Sequence, residues 1–323
     1  MNPNTNPTRS HRRTAARVVA GVAALGLIPA GVVVAGPDFD GWTTAQKIDE
    51  VADNHPDVNT AALDGCPAQS PDGLSLYMAS NRPGGLGGLD IWVATRHHRD
   101  DPWGAPQNLP EPINTPSDDF CPTPMEGDGL LFVSRRTVEG VTCGLGDIYL
   151  TRHNSAHGWS EPEHLACDPV GPNSALDEQG PSYVQAQLYF SRSSSTVAGE
   201  LFVSGKHGDV FGSARAISEL NDPIANDIQP NVRKDGRELV FSSTRAGGFG
   251  GPDIWVSTRP NVDAAWSTPV NLGSGVNTEL GESRPFLSSD AEQLLFGRSG
   301  PVGTGEGGTG ASDIYLTTRT RNP

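Results

Sequence analysis

The chain has 323 residues and a formal net charge of −15. An acidic surface of this kind repels nucleic acid phosphates and anionic lipid headgroups, so we expect no nucleic acid partner. Glycine and proline, at 39 and 27 residues, recur at fixed offsets between short apolar runs, which indicates turns between strands rather than disorder.

The N-terminal segment differs from the rest of the chain. It opens with four arginines: Arg9, Arg12, Arg13 and Arg17. An apolar run over 18–35 follows, and the small residues Val33 and Ala35 suit cleavage before Gly36. We predict that residues 1–35 are a secretory signal peptide. The alternative is an uncleaved anchor, which would be the chain's only contact with a membrane. Either way, we expect a secreted or cell-envelope protein.

One sequence pattern recurs five times after residue 41. Each copy has an aromatic residue, an Asn or Asp, an acid five residues later and a proline three residues after that acid. An apolar run with an arginine follows, and then an acid–apolar–aromatic triplet. In the fourth copy these positions are Phe211, Asp222, Asp227, Pro230, Arg245 and 253–255. A period of about 55 residues built from short strands is typical of a β-propeller.

Each copy predicts four antiparallel strands, which make one propeller blade. The chain begins with a lone fourth-strand pattern at 42–46 and ends on a third strand at 313–318. We therefore predict an all-β, five-bladed propeller in which the N-terminal strand closes the last blade and removes two free sheet edges. The predicted propeller covers 36–323, with blades at about 58–111, 112–168, 172–220, 221–274 and 275–320 plus 41–50.

The first copy carries the clearest family motif. It has a Ser-Pro-Asp-Gly turn at 70–73, a strand ending at Asn81 and Arg82, and a glycine-rich loop leading to Asp-Ile-Trp at 90–92. This motif resembles the WD40-like repeat of TolB-type β-propellers, and the resemblance covers 42–320. The third and fifth copies depart from it at the turn. The resemblance implies an extracytoplasmic binding or scaffolding module whose partner is a protein, a peptide or a glycan.

Charged residues recur at equivalent places in every copy. An acid precedes each first strand: Asp64, Asp119, Glu178, Asp227 and Glu282. An arginine lies near the end of each second strand: Arg82, Arg136, Arg192, Arg245 and Arg298. A further acid opens each third strand: Asp90, Asp147, Glu200, Asp253 and Asp313. Because neighbouring strands run antiparallel, the arginine is expected to return to the end of the blade where both acids lie.

The ring of first-strand acids has three interpretations. Five carboxylates around one axis could hold Ca²⁺, which takes about six to eight oxygen ligands. Two carboxylates of unlike pKa could hydrolyse a glycosidic bond. In the preferred interpretation, each arginine lies between two acids as a structural clamp. We therefore predict no catalytic residue and no metal ligand, with calcium as the one cofactor the ring could hold.

These observations favour an exported, non-enzymatic and monomeric binding module that acts through the loops on the face where the acids lie. The alternative is a carbohydrate-active hydrolase of the five-bladed propeller type that uses axial carboxylates.

The four cysteines predict two disulfides in an exported chain. Cys66 and Cys121 occupy the same position in the first two copies, and Cys143 and Cys167 lie in later loops of the second copy. Four cysteines allow three pairings. The one that we expect to carry the least strain is Cys66–Cys121 with Cys143–Cys167.

Overall fold

The computed structural model describes residues 38–51, 53–300 and 312–322, together with Met1. The predicted signal segment, 1–35, lies outside these residues except for Met1. In the described part of the chain, no helix is long and apolar enough to cross a membrane. Among the residues that the structure describes, helix is limited to two 3₁₀ turns, Ile48–Glu50 and Pro56–Val58.

Five antiparallel sheets form the five blades of a propeller. The first strand of the described chain is the short β1 (Gln46–Lys47). Blade one contains β2 (Asp64–Gln69), β3 (Ser75–Ser80), β4 (Asp90–Thr95) and β5 (Gln107–Asn108). Blade two contains β6 (Asp119–Pro124), β7 (Gly129–Ser134), β8 (Asp147–Asn154), β9 (Gly158–Trp159) and β10 (Glu163–His164).

The other three blades follow the same order along the chain. Blade three contains β11 (Asp177–Val184), β12 (Gln187–Ser193), β13 (Glu200–His207) and β14 (Val210–Ala216). Blade four contains β15 (Asp227–Val232), β16 (Glu238–Ser243), β17 (Asp253–Thr258) and β18 (Val270–Asn271). Blade five contains β19 (Gly281–Leu287), β20 (Gln293–Ser299) and β21 (Ser312–Thr318). The five-bladed prediction is confirmed.

The N-terminal strand closes the ring, as predicted. β1 pairs antiparallel with β21, with Gln46 opposite Leu316, and supplies the outer strand that blade five lacks. Upstream of β1, Phe39 bridges to Arg321, and Trp42 is only 7% exposed. Closure therefore combines ladder hydrogen bonds with burial of aromatic side chains, and it covers the edge of β21.

Apolar residues of neighbouring blades form the core. Strand residues alternate between the two faces of a blade, so each blade presents a row of apolar side chains to each neighbour. One cluster joins Tyr189 and Leu201 of blade three to Leu239, Phe241 and Trp255 of blade four. The innermost strands, β2, β6, β11, β15 and β19, contact one another around the propeller axis.

A repeated asparagine joins each blade to the one before it. Asn114 of blade two accepts a hydrogen bond from the Ile91 amide of β4 at 2.8 Å and donates one to the Ile91 carbonyl at 2.9 Å. The same pair of hydrogen bonds recurs between Asn59 and Ile314, Asn173 and Ile148, Asn221 and Leu201, and Asn277 and Ile254. The Asn59–Ile314 pair joins blade one to blade five, where the ring closes.

In the fourth copy, our assignment of this position to Asp222 is wrong by one residue. Asn221 makes the contact, while the backbone amide of Asp222 donates to Asp227 at 2.6 Å. The reason is chemical. A side-chain amide can accept from the backbone N–H and donate to the backbone C=O of one residue, whereas an ionised carboxylate can only accept.

Candidate functional site

The propeller has two faces that differ in what they carry. We call the end at which the inner strands begin the start face, and the opposite end the far face. The start face carries the loops that join second to third strands and the loops that lead into each inner strand. It therefore also carries the first-strand acids and the arginines.

In each blade, the arginine binds the first-strand acid. Arg82 bonds to the Asp64 carboxylate and also donates to the backbone carbonyls of Asp57 and Val58. The equivalent pairs are Arg136–Asp119 at 2.9 Å, Arg192–Glu178 at 3.1 Å, Arg245–Asp227 at 2.6 Å and Arg298–Glu282 at 2.8 Å. All five acids are 0% exposed. The pair thus ties the loop before the inner strand to the second strand of the same blade.

Aromatic rings hold each arginine in place. The Arg245 guanidinium lies 4.8 Å from the ring centroid of Phe241 and 5.4 Å from that of Trp255. The equivalent arginines lie over Trp92, over Phe132 and Tyr149, over Phe190 and Phe202, and over Phe296 and Tyr315. The aromatic residue of each triplet therefore supports the clamp as well as packing between blades.

The third-strand acids do not share the arginine, contrary to our expectation. Asp90 accepts instead from the backbone amides of Leu86 and Gly87 and from Asn108. Asp313 pairs with Lys47 at 2.8 Å. In blades one, two and four a backbone amide of the loop before the third strand donates to this acid, while the arginine donates to carbonyls of the loop before the inner strand.

Glu178 differs from the other first-strand acids in its hydrogen bonding. Ser174 and Arg192 both bond to its Oε1 atom, whereas Oε2 is buried and has no hydrogen-bond partner among the described residues. Burial outweighs the Ser174 and Arg192 contacts and raises the pKa of Glu178 from 4.5 to about 7. Burial also raises the pKa of Asp119.

This pKa predicts a pH-dependent stability. Between pH 4.5 and about 7, folded Glu178 holds a proton that the unfolded chain has lost, so its contribution to the free energy of unfolding falls as pH rises through that range. From pH 6 to pH 8 the loss should be about 1 kcal/mol.

Glu178→Gln should remove this difference in urea titrations at the two pH values. Glu282→Gln is the matched control, since Thr278 and Arg298 bond to both oxygens of Glu282, and it should keep the difference. Equal pH dependence in wild type and Glu178→Gln would contradict the assignment.

Each inner strand bulges at the same level of the channel. The residue before the proline that recurs in each copy has a positive φ in every blade: Cys66, Cys121, Gly180, Gln229 and Arg284. Proline cannot donate to the ladder, and the strand register shifts at each of these points. These residues line a waist with a cavity of only about 30 Å³, room for about one water molecule.

Two features of the waist are not required by the repeat. Cys66 and Cys121 form a disulfide between blades one and two. Arg284 of blade five has no ion-pair partner among the described residues, and its buried Nε has no hydrogen-bond partner there. Burial, together with the nearby Arg135 charge, lowers the pKa of Arg284. Sequence reasoning missed Arg284, although its departure from Cys, Gly and Gln at the equivalent positions was a visible signal.

The far face has a cavity at the end of the channel. It measures about 340 Å³, and the ends of the inner strands line it with Gln69, Tyr183, Asn231 and Phe286 among other residues. Among the described residues, the only carboxylate in its lining is Glu126, which pairs with Lys234 at 2.7 Å. This cavity offers no pair of carboxylates for glycoside hydrolysis.

Exposed apolar side chains concentrate on the start face. Apart from Met1, eight of the eleven large apolar residues that the described chain exposes lie in start-face loops: Leu86, Val138, Val141, Leu145, Val170, Val197, Ile224 and Phe249. Leu86 and Phe249 occupy equivalent loop positions in blades one and four and are 50% and 49% exposed. Exposed apolar groups that gather on one face are typical of interaction surfaces.

The second disulfide also lies on the start face. Cys143 and Cys167 join the loop before β8 to the loop before blade three. The two predicted disulfides are therefore present. The His164 side chain lies beside this bridge, with its Nε2 atom 3.8 Å from Cys143 Sγ and 2.9 Å from Asp147 Oδ2. Sequence reasoning did not single out His164.

Comparisons with known proteins establish the fold. No protein-family model matches the chain, and no curated protein matches it. An α-L-arabinofuranosidase from Podospora anserina, solved with cellotriose, is 12% identical, with a TM-score of 0.54 over 88% of this chain and 98% of that chain. An α-L-arabinofuranosidase from Lactobacillus brevis is 10% identical, with a TM-score of 0.52 over 81% of this chain and 92% of that chain.

TolB propellers are also among the similar structures. TolB from Acinetobacter baumannii is 13% identical, with a TM-score of 0.45 over 73% of this chain and 49% of that chain, so this chain spans about half its length. A protein described as putative TolB from Agrobacterium tumefaciens is 15% identical, with a TM-score of 0.48 over 88% of this chain and 99% of that chain.

Proposed function

We propose that this chain is an exported, non-enzymatic binding module that docks a protein or peptide on its start face. The observation that carries the proposal is the concentration of exposed apolar side chains in the start-face loops. A rigid ring of sheets that presents variable loops is a common arrangement for binding sites. The two disulfides support an oxidising, extracytoplasmic location.

The clamps weigh against the hydrolase alternative. Each first-strand acid is buried and bonded to an arginine of its own blade, so it is occupied by a structural contact. Near the start of the channel, Asp118 and Asp177 are each 3.0 Å from Arg135. Hydrolysis requires one carboxylate free to donate a proton and another free to act as base or nucleophile.

The same contacts weigh against calcium. An arginine already occupies each acid of the ring, and Ca²⁺ would have to displace it. We propose that the five acids are structural partners of the arginines. The partner would then bind at the tips of the start-face loops. In blades one and four these tips expose the uncharged side chains of Leu86 and Phe249.

A peptide-display library is a suitable probe, since the partner is unidentified. Peptides selected on the wild-type protein should lose at least about tenfold in affinity when Leu86 and Phe249 are both replaced by serine. Only their backbone amides contact the third-strand acids, so the fold should be unaffected. The matched control replaces Val210 and Val262, exposed by 61% and 42% away from the start face.

The two variants separate the outcomes. Loss of peptide affinity in the control variant but not in the start-face variant would place binding elsewhere and overturn the proposal. Selection on a glycan array but not on peptides would replace the protein partner by a glycan. Turnover of para-nitrophenyl α-L-arabinofuranoside, a substrate suited to the arabinofuranosidases that share the fold, would favour the hydrolase alternative.

A further inference from the structure

Blade two departs from the repeat at one corner of the start face. In blades one and four, the third-strand acid accepts from a backbone amide four residues earlier, at Leu86 and at Phe249. In blade two the residue at this position is Cys143, whose amide donates to Asp147 at 2.7 Å. Blade two thus has a cysteine where blades one and four have an exposed apolar side chain.

A second departure faces the first. Opposite the aromatic residue of the third strand, blades one and four place Asn108 and Asn271, and each donates its side-chain amide to the third-strand acid. The strand register places His164 at this position in blade two, opposite Tyr149. An asparagine could donate to Asp147 as Asn108 and Asn271 donate to Asp90 and Asp253, so the repeat itself does not require an imidazole here.

The third departure completes a cluster. Cys167 lies three residues after His164 and is bonded to Cys143. The ligand atoms of Cys143, His164 and Cys167 all lie within 4.8 Å of one another, and all three residues are half-buried. Solvent-borne reductants and ions therefore have access to them. Two cysteine sulfurs and one imidazole nitrogen are the donor set that Zn²⁺ prefers.

We propose that Cys143, Cys167 and His164 form a redox-controlled site for a divalent metal of zinc type, which is available only when the disulfide is reduced. This departs from our sequence-based expectation of no metal ligand. In the oxidised protein the two sulfurs are bonded to each other and are poor ligands, so the bridge alone holds the two loops together.

The chemistry balances with a dithiol as reductant. The dithiol supplies two electrons and two protons and becomes a disulfide, while the Cys143–Cys167 bond breaks to give two thiols. Metal binding then releases the two thiol protons, because the thiolate is the ligand form. His164 coordinates through neutral Nε2, the atom that faces Cys143 Sγ.

The side chains of Asp147 and Tyr149 suit such a site. Asp147 Oδ2 lies 2.9 Å from His164 Nε2 and is the nearest group for the fourth ligand position, which a water would otherwise take. The side-chain amide of Asn173 lies 3.2 Å from the same nitrogen, and a metal bound at Nε2 would take its place. The ring of Tyr149 packs edge-on against the imidazole at 5.0 Å between centroids and holds its orientation.

The other disulfide provides an internal control. Cys66 and Cys121 lie at the waist of the channel, where no histidine or carboxylate is among the described lining residues. Reduction of the Cys66–Cys121 bridge would give two thiols with no histidine among the described residues that line the waist. A metal that only required a pair of thiols would bind there as well.

The test uses the full chain, reduced anaerobically with a phosphine and then freed of reductant. Co²⁺ titration should show one tetrahedral thiolate-bound ion per chain by its visible and charge-transfer absorption, and Zn²⁺ should displace it. The oxidised protein should show no such absorption. His164→Asn, which installs the residue of blades one and four, should keep the fold and the disulfide but bind at least about tenfold more weakly. Cys66→Ser with Cys121→Ser should leave the Co²⁺ spectrum unchanged.

Each contrary result overturns the proposal. Equal Co²⁺ binding by reduced wild type and reduced His164→Asn would show that the histidine is only a partner of Asp147. Loss of the spectrum with Cys66 and Cys121 would place the metal at the waist. If the variant with Cys66→Ser and Cys121→Ser fails to fold, Cys143→Ala with Cys167→Ala also tests where the metal binds, since it should abolish the Co²⁺ spectrum. A reduced wild type that unfolds and does not refold with Zn²⁺ would also refute the site.

Discussion

Replacement of Arg245 by methionine should lower the free energy of unfolding by about 3–5 kcal/mol. Methionine keeps the apolar packing between Phe241 and Trp255 but removes the 2.6 Å ion pair with Asp227. Asp227 is 0% exposed and would remain as a buried charge without its cationic partner. Guanidinium chloride denaturation monitored by far-ultraviolet circular dichroism measures the change.

Arg284→Gln is the matched control for the clamp. Gln229 occupies the equivalent position in blade four with φ of 55°, close to the 59° of Arg284, so the backbone accepts glutamine there. Arg284 has no ion-pair partner among the described residues, so its removal should leave stability unchanged or raise it. Equal destabilisation by Arg245→Met and Arg284→Gln would contradict the clamp.

A double variant separates the pair from its surroundings. Asp227→Asn combined with Arg245→Met removes both charges, and it should be less destabilised than the sum of the single variants. Additive losses would show that the two side chains act independently.

Deletion of residues 36–50 should unfold the propeller or lower its melting temperature by many degrees. The deletion removes β1 and three buried side chains, Phe39, Trp42 and Ile48, which are 1%, 7% and 0% exposed. Loss of a buried aromatic or aliphatic side chain costs about 2–5 kcal/mol, so the total is on the order of 10 kcal/mol. This is comparable to the whole stability of a typical domain.

A point substitution tests the same closure more gently. Trp42→Ala should cost about 3–5 kcal/mol, because the ring packs in the blade-five core and lies 4.3 Å from the Arg319 guanidinium. Val270→Ala, on the exposed outer strand of blade four, should change stability by less than about 0.5 kcal/mol. Thermal unfolding of the three proteins under one condition provides the comparison. An unchanged transition after the deletion would mean that β1 does not close the ring.

The repeat also provides a way to recognise residues that have a role besides the fold. Residues that recur in every blade, such as the clamp arginines, satisfy the same contacts each time. Arg284 and His164 depart from the residues at equivalent positions, and each leads to an arrangement that other blades lack. A departure from an internal repeat is informative even without relatives to compare, because the other four blades show what the fold requires.

The amino-acid sequence by itself determined the all-β class, the five blades, the closure by the N-terminal strand and the presence of two disulfides. These follow from strand alternation, turn residues and a period, which are local patterns repeated five times. Tertiary structure alone decided that the arginines contact the first-strand acids but not the third-strand acids, that Asn221 rather than Asp222 joins two blades, and that His164 lies against a disulfide. Those contacts depend on distances of a few ångströms between residues in different strands and loops, and spacing along the chain does not specify such distances.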